Sequence, residues 1–358
     1  MKIIHCADLH LDSRMETNLS STQAAERKRE ILNTFERMVA YAAENAVQVI
    51  IIAGDMFDTA RVSNLTKTRV LNTVTKHAEI DFFYLSGNHD ESNFLGSLEN
   101  VPANLKIFGS TWTTFTYPEV NITGLVLDES NRVTRYETLR LPNHQVNIAV
   151  LHGQITQSAS GQNPVEMINL TKLQNKNIDY LALGHIHTFM QNKLDARGIY
   201  CYAGCLEGRG FDECGEKGFV LLDVDHGAIK SEFISFAQRR LIELNFDITP
   251  YQDWFAIEEQ ILSITQTYSR ENLLRIVLQG KYKIQMEKHV EMLQQKLHHF
   301  YFAEIKDESV LDVTNQDVAH DVSLRGEFIR QVLASSLSAQ EKEQTILVGL
   351  KALNGEDW

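Results

Sequence analysis

The chain has 358 residues, of which 43% are hydrophobic, 23% are charged and only 5 are proline. That length is enough for two domains of ~150 residues, and the composition excludes a disordered or fibrous chain. The formal net charge of −13 argues against a polyanionic partner, unless some of the acids hold cations.

Taken in order, the first half alternates short apolar runs with polar helical stretches. IIHC, a helix over about 22–45, VQVIIIA, a helix over about 62–77 and DFFYLS read as βαβαβ. From about Lys106 the runs come closer together, without long helices between them: IFGSTWTTF, VNITGLVL, VNIAVLH, IDYLALG, IYCYAG and GFVLLDV. This spacing predicts a second, mostly antiparallel sheet. The expected fold is an α/β sandwich of two sheets flanked by helices, ending near Phe236. A small α+β unit follows, with LIELNFDI, a helix over about 251–267, NLLRIVLQG, a helix over about 284–299 and YFAEIKD. Helical spacing of Phe328, Val332, Leu333, Ile346, Leu347 and Leu350 predicts one or two terminal helices. The expected domains are therefore 1–238, 239–312 and 313–358. The excess of acids divides evenly, −7 over 1–238 and −6 over 239–358.

No apolar run reaches the ~18 residues of a membrane span, and MKIIHCADLHLD is too polar for a signal peptide. A soluble cytoplasmic protein without a membrane partner is expected. Four cysteines in so long a chain make no disulfide scaffold. Cys201, Cys205 and Cys214 lack a CxxC pair, so free thiols are a better reading than a zinc site.

Five apolar runs end in residues that ligate metals. IIHCA leads to Asp8 and His10, VIIIAG to Asp55 and Asp58, FFYLSG to Asn88, His89 and Asp90, IAVL to His152, and YLALG to His185 and His187. In an open α/β sheet, ligands bind outside the carboxyl ends of the strands, so neighbouring strands bring such residues together. Singly, Asp8-x-His10 reads as a loop pair, Gly54-Asp55 as turn chemistry and His152 as a core histidine. Jointly they describe a site. Mixed oxygen and nitrogen donors without a thiolate favour Mn²⁺, Fe²⁺ or Zn²⁺ over purely oxygen-bound Mg²⁺ or Ca²⁺. Seven donors drawn from these ten residues are too many for one ion and suit two ions sharing a carboxylate.

The series D-x-H, G-D-x-x-D, G-N-H-D, an isolated His and G-H-x-H resembles the calcineurin-like metallophosphoesterase superfamily over roughly residues 1–225. The resemblance implies one metal at Asp8, His10, Asp55 and His187, and a second at Asp55, Asn88, His152 and His185, with Asp55 bridging. It implies catalytic work for His89 at the leaving group, with Asp58 as its orienting partner. CADLHLD, AGDMFD, SGNHD and the later YAGCLEGRGFDECGEKGFVLLDV are similar to the SbcD/Mre DNA repair nucleases, particularly the YhaO-like branch.

That likeness implies a DNA exonuclease or endonuclease with two divalent ions, Mn²⁺ first and Fe²⁺, Zn²⁺ or Mg²⁺ as alternatives. It also implies a DNA-binding cap at 239–312, a homodimer formed through the helices near 22–45 and 62–77, and an SMC-like, SbcC-type ATPase partner. The competing reading is a phosphodiesterase or phosphatase acting on small nucleotides or phosphoproteins. Asp12 stands where many relatives have glycine. Arg270, Arg275, Lys281, Lys283, Lys288, Lys296 and Lys306 form a modest basic stretch in the cap, equally readable as solvated helix faces. Glu207, Arg209 and Asp212 are candidates to face the substrate.

Overall fold

The computed structural model describes residues 1–15, 18–58, 62–87, 101–156, 165–283, 286–312 and 321–353, which group into two units, Met1–Leu241 and Ile242–Trp358. The first unit opens with β1 (Lys2–Cys6), α1 (Ser21–Glu44), β2 (Val47–Ala53), α2 (Asn64–Lys76), β3 (Asp81–Leu85) and β4 (Leu105–Ile107). It continues through β5 (Thr113–Thr116), β6 (Val120–Gly124), α3 (Arg135–Thr138), β7 (Val146–His152), β8 (Gln154–Thr156) and β9 (Met167–Asn169). It closes with β10 (Tyr180–Gly184), β11 (Met190–Lys193), β12 (Ile199–Tyr202), β13 (Gly218–Asp225) and β14 (Ala228–Ser235).

Two six-stranded sheets result, in the orders β14-β13-β1-β2-β3-β4 and β11-β12-β10-β7-β6-β5. Strand alternation divides the side chains between two cores. Ile4, Cys6, Ile50 and Ile52 point to the helices and pack with Ile31, Phe35, Met38 and Val39 of α1 and Val70 and Val74 of α2. Ile3, Val49, Ile51 and Phe83 point the other way, onto Ile122, Ile148, Val150 and Ala182 of the second sheet. Ser20 starts α1 with a reciprocal capping box to Gln23, and the Ser63 hydroxyl accepts the Thr66 amide at the start of α2. The α/β sandwich is thus the expected fold.

Two details differ from the sequence reading. The second sheet is not mostly antiparallel: β6, β7, β10 and β12 are parallel, and only its edge strands β5 and β11 run antiparallel. Its inner strands β6, β7 and β10 are buried along their whole length, as parallel strands covered on both faces are. Among the described residues their crossovers hold only the four-residue helix α3, the short strands β8 and β9 and a single 3₁₀ turn, too short to carry a helical periodicity. GFVLLDV, moreover, joins the first sheet as β13, antiparallel to β1, with Ile4 opposite Leu221.

A buried ion network ties the segment after β12 to α1. The Arg27 guanidinium, 1% exposed, donates to Glu30, to Glu207 Oε2 at 3.2 Å and to the Gly208 carbonyl at 2.9 Å. Glu207 also accepts from Thr34 Oγ1 at 2.8 Å and from the Gln238 amide at 2.5 Å. Glu207 therefore does not face substrate; its carboxylate is enclosed by partners in the protein.

The second unit contains β15 (Leu241–Asp247), α4 (Trp254–Thr265), β16 (Leu273–Gln279), β17 (Lys281–Tyr282), α5 (Val290–Lys296), β18 (Phe302–Asp307) and β19 (Val310–Leu311). Helices α6 (Leu324–Ala334) and α7 (Ala339–Leu353) follow, and Ile329, Val332 and Ile346 bury into the same core as Ile257, Ile276 and Leu293. Strands β15, β16 and β18 form its three-stranded sheet. Three residues of the expected basic stretch are internally paired: Arg275 with Glu304 and Glu243, Lys288 with Asp307, and Lys296 with Glu258. Among the described residues, no helix is long and apolar enough to cross a membrane.

Glu207→Ala should lower unfolding stability by about 3 kcal/mol, because it strands part of the buried Arg27 charge. A urea melt checks this, and a midpoint like that of the unaltered chain would contradict the structural role of the carboxylate.

Candidate metal centre

Strands β1 and β2 are parallel neighbours, and their pairing continues past both ends. Asp8 N donates to Gly54 O at 3.0 Å, His10 N to Asp55 O at 3.0 Å, and Leu11 N to Met56 O at 2.9 Å. This zipped pair of loops adopts left-handed backbone at Asp8 (φ 51°), His10 (φ 44°) and Asp55 (φ 48°), and His185 after β10 does so as well (φ 101°). Such conformations cost of order 1–3 kcal/mol each and persist where the surroundings impose them, most often at functional sites. Glycine permits the close approaches. A Cβ on Gly54 would stand 2.0 Å from His152 Nδ1, one on Gly87 2.1 Å from Asp55 Oδ1, and one on Gly184 1.9 Å from the Ala53 carbonyl.

The side chains converge in two overlapping groups. Donor atoms of Asp8, His10 and His187 lie within 4.8 Å of one another, and so do those of Asp8, Asp55 and His152. Asp55 Oδ2 lies 3.3 Å from His152 Nε2 and 4.0 Å from His10 Nε2, so this carboxylate also stands between the groups. Asp8, His10 and Asp55 are each only 1% exposed. The His185 amide donates to both oxygens of Asp8, at 2.9 and 3.1 Å, and its ring stands edge-on to His152 with centroids 5.4 Å apart.

Hydrogen bonds behind the imidazoles decide which nitrogens are available. His10 Nδ1 lies 2.9 Å from Asp58 Oδ1, His187 Nδ1 lies 2.6 Å from Glu213 Oε1, and His152 Nδ1 lies 3.0 Å from the Ala53 carbonyl. An acceptor oxygen beside each Nδ1 favours a proton there and turns Nε2 toward the cluster, where His152 Nε2 lies 3.3 Å from Asp55 Oδ2. The Nε2 atoms of His10 and His187 face each other at 3.1 Å. Two lone pairs at that separation repel unless a proton or a cation stands between them.

The charges make the same demand. Burial pushes the Asp8 carboxyl up to about 6, against the pull of His152 and His187. For His152, burial works to lower the pKa, but the Asp55 carboxylate and then Asp8 raise it to about 9. Buried acids without enough positive charge hold protons, and a divalent ion supplies what is missing. The donor set fits hard or borderline divalent metals.

Asp8, His10, Asp55, His152 and His187 thus come together, with His185 against them. Asn88 and His89 lie outside the described residues. Asp58, expected beside His89, touches His10, Ser13 Oγ at 2.9 Å and Arg209 Nη1 at 2.9 Å. Among the described residues, no thiol enters either group. Cys205 and Cys214 Sγ instead donate to the carbonyls of His187 and Phe211.

The sequence reading missed Glu213, 3% exposed behind His187, and Lys217, whose Nζ donates to the His187 carbonyl at 2.7 Å. Both belong to the E-C-G-E-K-G part of the segment after β12, whose regular acids and lysine were the available signal. Asp12, singled out as unusual, bonds Lys28 Nζ at 2.9 Å and accepts the Ser63 amide at 2.5 Å, fastening the loop to both helices.

The calcineurin-like phosphoesterase family model matches residues 1–189. The chain is similar to the uncharacterized metallophosphoesterase YhaO of Bacillus subtilis (strain 168), at 27% identity over 302 residues, covering 78% of this chain and 72% of that one. It is also similar to the DNA double-strand break repair protein Mre11 of Saccharolobus solfataricus, at 24% over 340 residues, covering 88% and 84%. Mre11 of Sulfolobus acidocaldarius is 21% identical and aligns with 100% of this chain and 96% of its own length. The family match spans more than half of the sequence and takes in every cluster described above, so the chain belongs to the calcineurin-like metallophosphoesterases, hydrolases built around dinuclear metal centres.

Proposed function

We propose that this chain is a two-metal DNA nuclease of the SbcD/Mre type, cleaving phosphodiester bonds as an exonuclease or endonuclease in DNA repair. The observation that carries the reading is the convergence of Asp8, His10, Asp55, His152 and His187, each imidazole aimed by a fixed partner on Nδ1. The preference for DNA is supported by similarity to Mre11 proteins along 84% and 96% of their lengths, which includes the second unit and not the family segment alone.

In this reading Asp8, His10, Asp55 and His187 hold one ion, and Asp55, Asn88, His152 and His185 hold the other. Mn²⁺ suits the donors best. Two bound cations neutralise the phosphodiester and lower the pKa of the attacking water towards 7. The chain's own part is to hold the carboxylates and each Nε2 aimed at the ions, Asp8 and His152 giving up their protons as the ions bind. His89 donates a proton to the departing oxygen. The second unit acts as the DNA-binding cap, where exposed Arg270, Lys281 and Lys306 meet the phosphate backbone. The partners in this reading are a second copy, docked through α1 and α2, and an SMC-like ATPase.

The experiment is digestion of end-labelled duplex DNA with and without Mn²⁺. Cleavage of small phosphoesters with DNA left intact would favour the small-nucleotide alternative. Asp55→Ala should empty or disorder both metal positions, whereas His89→Ala should keep both ions and lose hydrolysis by at least ~100-fold; elemental analysis beside a rate assay reads the split. Metal affinity of the stripped protein should climb between pH 5.5 and 8.5, because Asp8 and then His152 must surrender protons to the ion. A flat calorimetric profile would count against both as donors. Replacing Arg270, Lys281 and Lys306 together by alanine should weaken DNA binding and lower the salt slope by up to ~3, measured by fluorescence anisotropy across a salt series.

A further inference from the structure

We propose that Arg209 is the positioning residue for one of the two metal positions and leaves the other untouched, so that the two ions are held with separable affinities. This rests on the ligand assignment given under the proposed function and goes beyond it by assigning a role to a residue outside the ligand set.

The geometry is a closed ring. Arg209 Nη1 donates to Asp58 Oδ1 at 2.9 Å, and that same oxygen lies 2.9 Å from His10 Nδ1. On its other side, Arg209 Nη2 donates to Glu213 Oε1 at 2.7 Å, and Nε does so at 3.1 Å. Glu213 Oε1 accepts from His187 Nδ1 at 2.6 Å, and Glu213 Oε2 accepts the Arg209 backbone amide at 2.7 Å. From Arg209 the two arms run through a carboxylate to an imidazole and meet where the His10 and His187 Nε2 atoms face each other at 3.1 Å. One planar guanidinium therefore sets the separation of two carboxylates, and through them the angle of two imidazoles. Only a rigid fork with donors on several edges does this; a lysine ammonium is a point charge on a flexible stem.

The donor count ties Arg209 to its neighbours in the protein. Nε and one Nη2 hydrogen serve Glu213, and Nη1 serves Asp58 and lies 3.3 Å from Ser13 Oγ. The remaining Nη2 hydrogen is on the side of His187 Nδ1, which lies 3.3 Å from Nη2 and is itself a donor to Glu213. Most of the guanidinium's donors are therefore spent on the supports of His10 and His187.

The second position is built differently. His152 is aimed by the Ala53 carbonyl at 3.0 Å, and glycine at 54 and 184 lets its ring sit against the backbone. The carboxylate oxygen recorded near that Nδ1 is Asp8 Oδ1, 3.9 Å away and itself part of the donor cluster. Partners behind a ligating imidazole typically govern 10–100-fold in metal affinity, and here that leverage is concentrated on the His10 and His187 side.

The test is calorimetric Mn²⁺ titration of the full chain after chelator treatment, for wild type, Arg209→Met, Arg209→Lys and Glu213→Gln. Wild type should take up two ions per chain. Arg209→Met should weaken one binding step by 10–100-fold and leave the other within about threefold, and Arg209→Lys should not restore it. Glu213→Gln keeps shape and an acceptor for His187 but removes the anion, and should give the same selective loss. It also carries the test should Arg209→Met fail to fold, as judged by the melting curve of the metal-free protein. Equal weakening of both steps, weakening of neither, or full restoration by lysine would overturn the proposal. A folded wild type that binds fewer than two ions would instead overturn the two-metal reading beneath it.

Discussion

The constraint on which the structure turns is the burial of two carboxylates, Asp8 and Asp55, at the ends of adjacent parallel strands, each only 1% exposed. Anions in such a place are unfavourable unless positive charge is brought to them. Three imidazoles reach these carboxylates, with Asp58, Glu213 and the Ala53 carbonyl beside their Nδ1 atoms and their Nε2 atoms turned to the site. The protein gathers electron-pair donors around a point it does not itself neutralise. That is the arrangement of a metal centre, and membership of a family with dinuclear centres gives it its chemistry.

The backbone bears much of the cost of this gathering. Four of the converging residues, Asp8, His10, Asp55 and His185, sit in left-handed conformations that side chains with a Cβ disfavour. What holds them is the continuation of the β1 and β2 ladder into the loops, together with the His185 amide on the Asp8 carboxylate, which joins the two sheets at the site. Flanking glycines at 54, 87 and 184 remove the Cβ atoms that would collide with His152, Asp55 and Ala53. The α/β sandwich supplies strand ends close enough for this, and the helices on its outer face supply anchorage through Lys28, Ser63 and the Arg27 network.

Around the donors lies a second set of charges, which the segment after β12 brings in from far along the chain. Glu213 and Lys217 hold His187 by its ring and by its carbonyl, and Arg209 links Glu213 to Asp58. Glu207, from the same segment, turns the opposite way and is enclosed beneath α1. Within one short stretch, neighbouring acids thus serve different ends, one supporting the metal centre and one fastening the segment itself.

The sequence alone determined the alternation of strands and helices in the first sheet, the layered α/β class and the candidacy of Asp8, His10, Asp55, His152 and His187, which the fold brings together, because apolar periodicity and residues placed just past strand ends are local properties. The direction of the second sheet's inner strands was not local, since crossovers without a long helix leave no periodic trace, and neither was the return of GFVLLDV to pair with β1. The same holds for charged side chains. Glu207, Arg209 and Glu213 look alike as polar residues of one loop, and their roles were decided only when folding set Arg27, Asp58 and His187 against them. A ligand type can be read from a motif, but the partner that fixes a proton on one nitrogen and frees the other comes from a distant part of the chain, and only the tertiary structure brings the two within 3 Å.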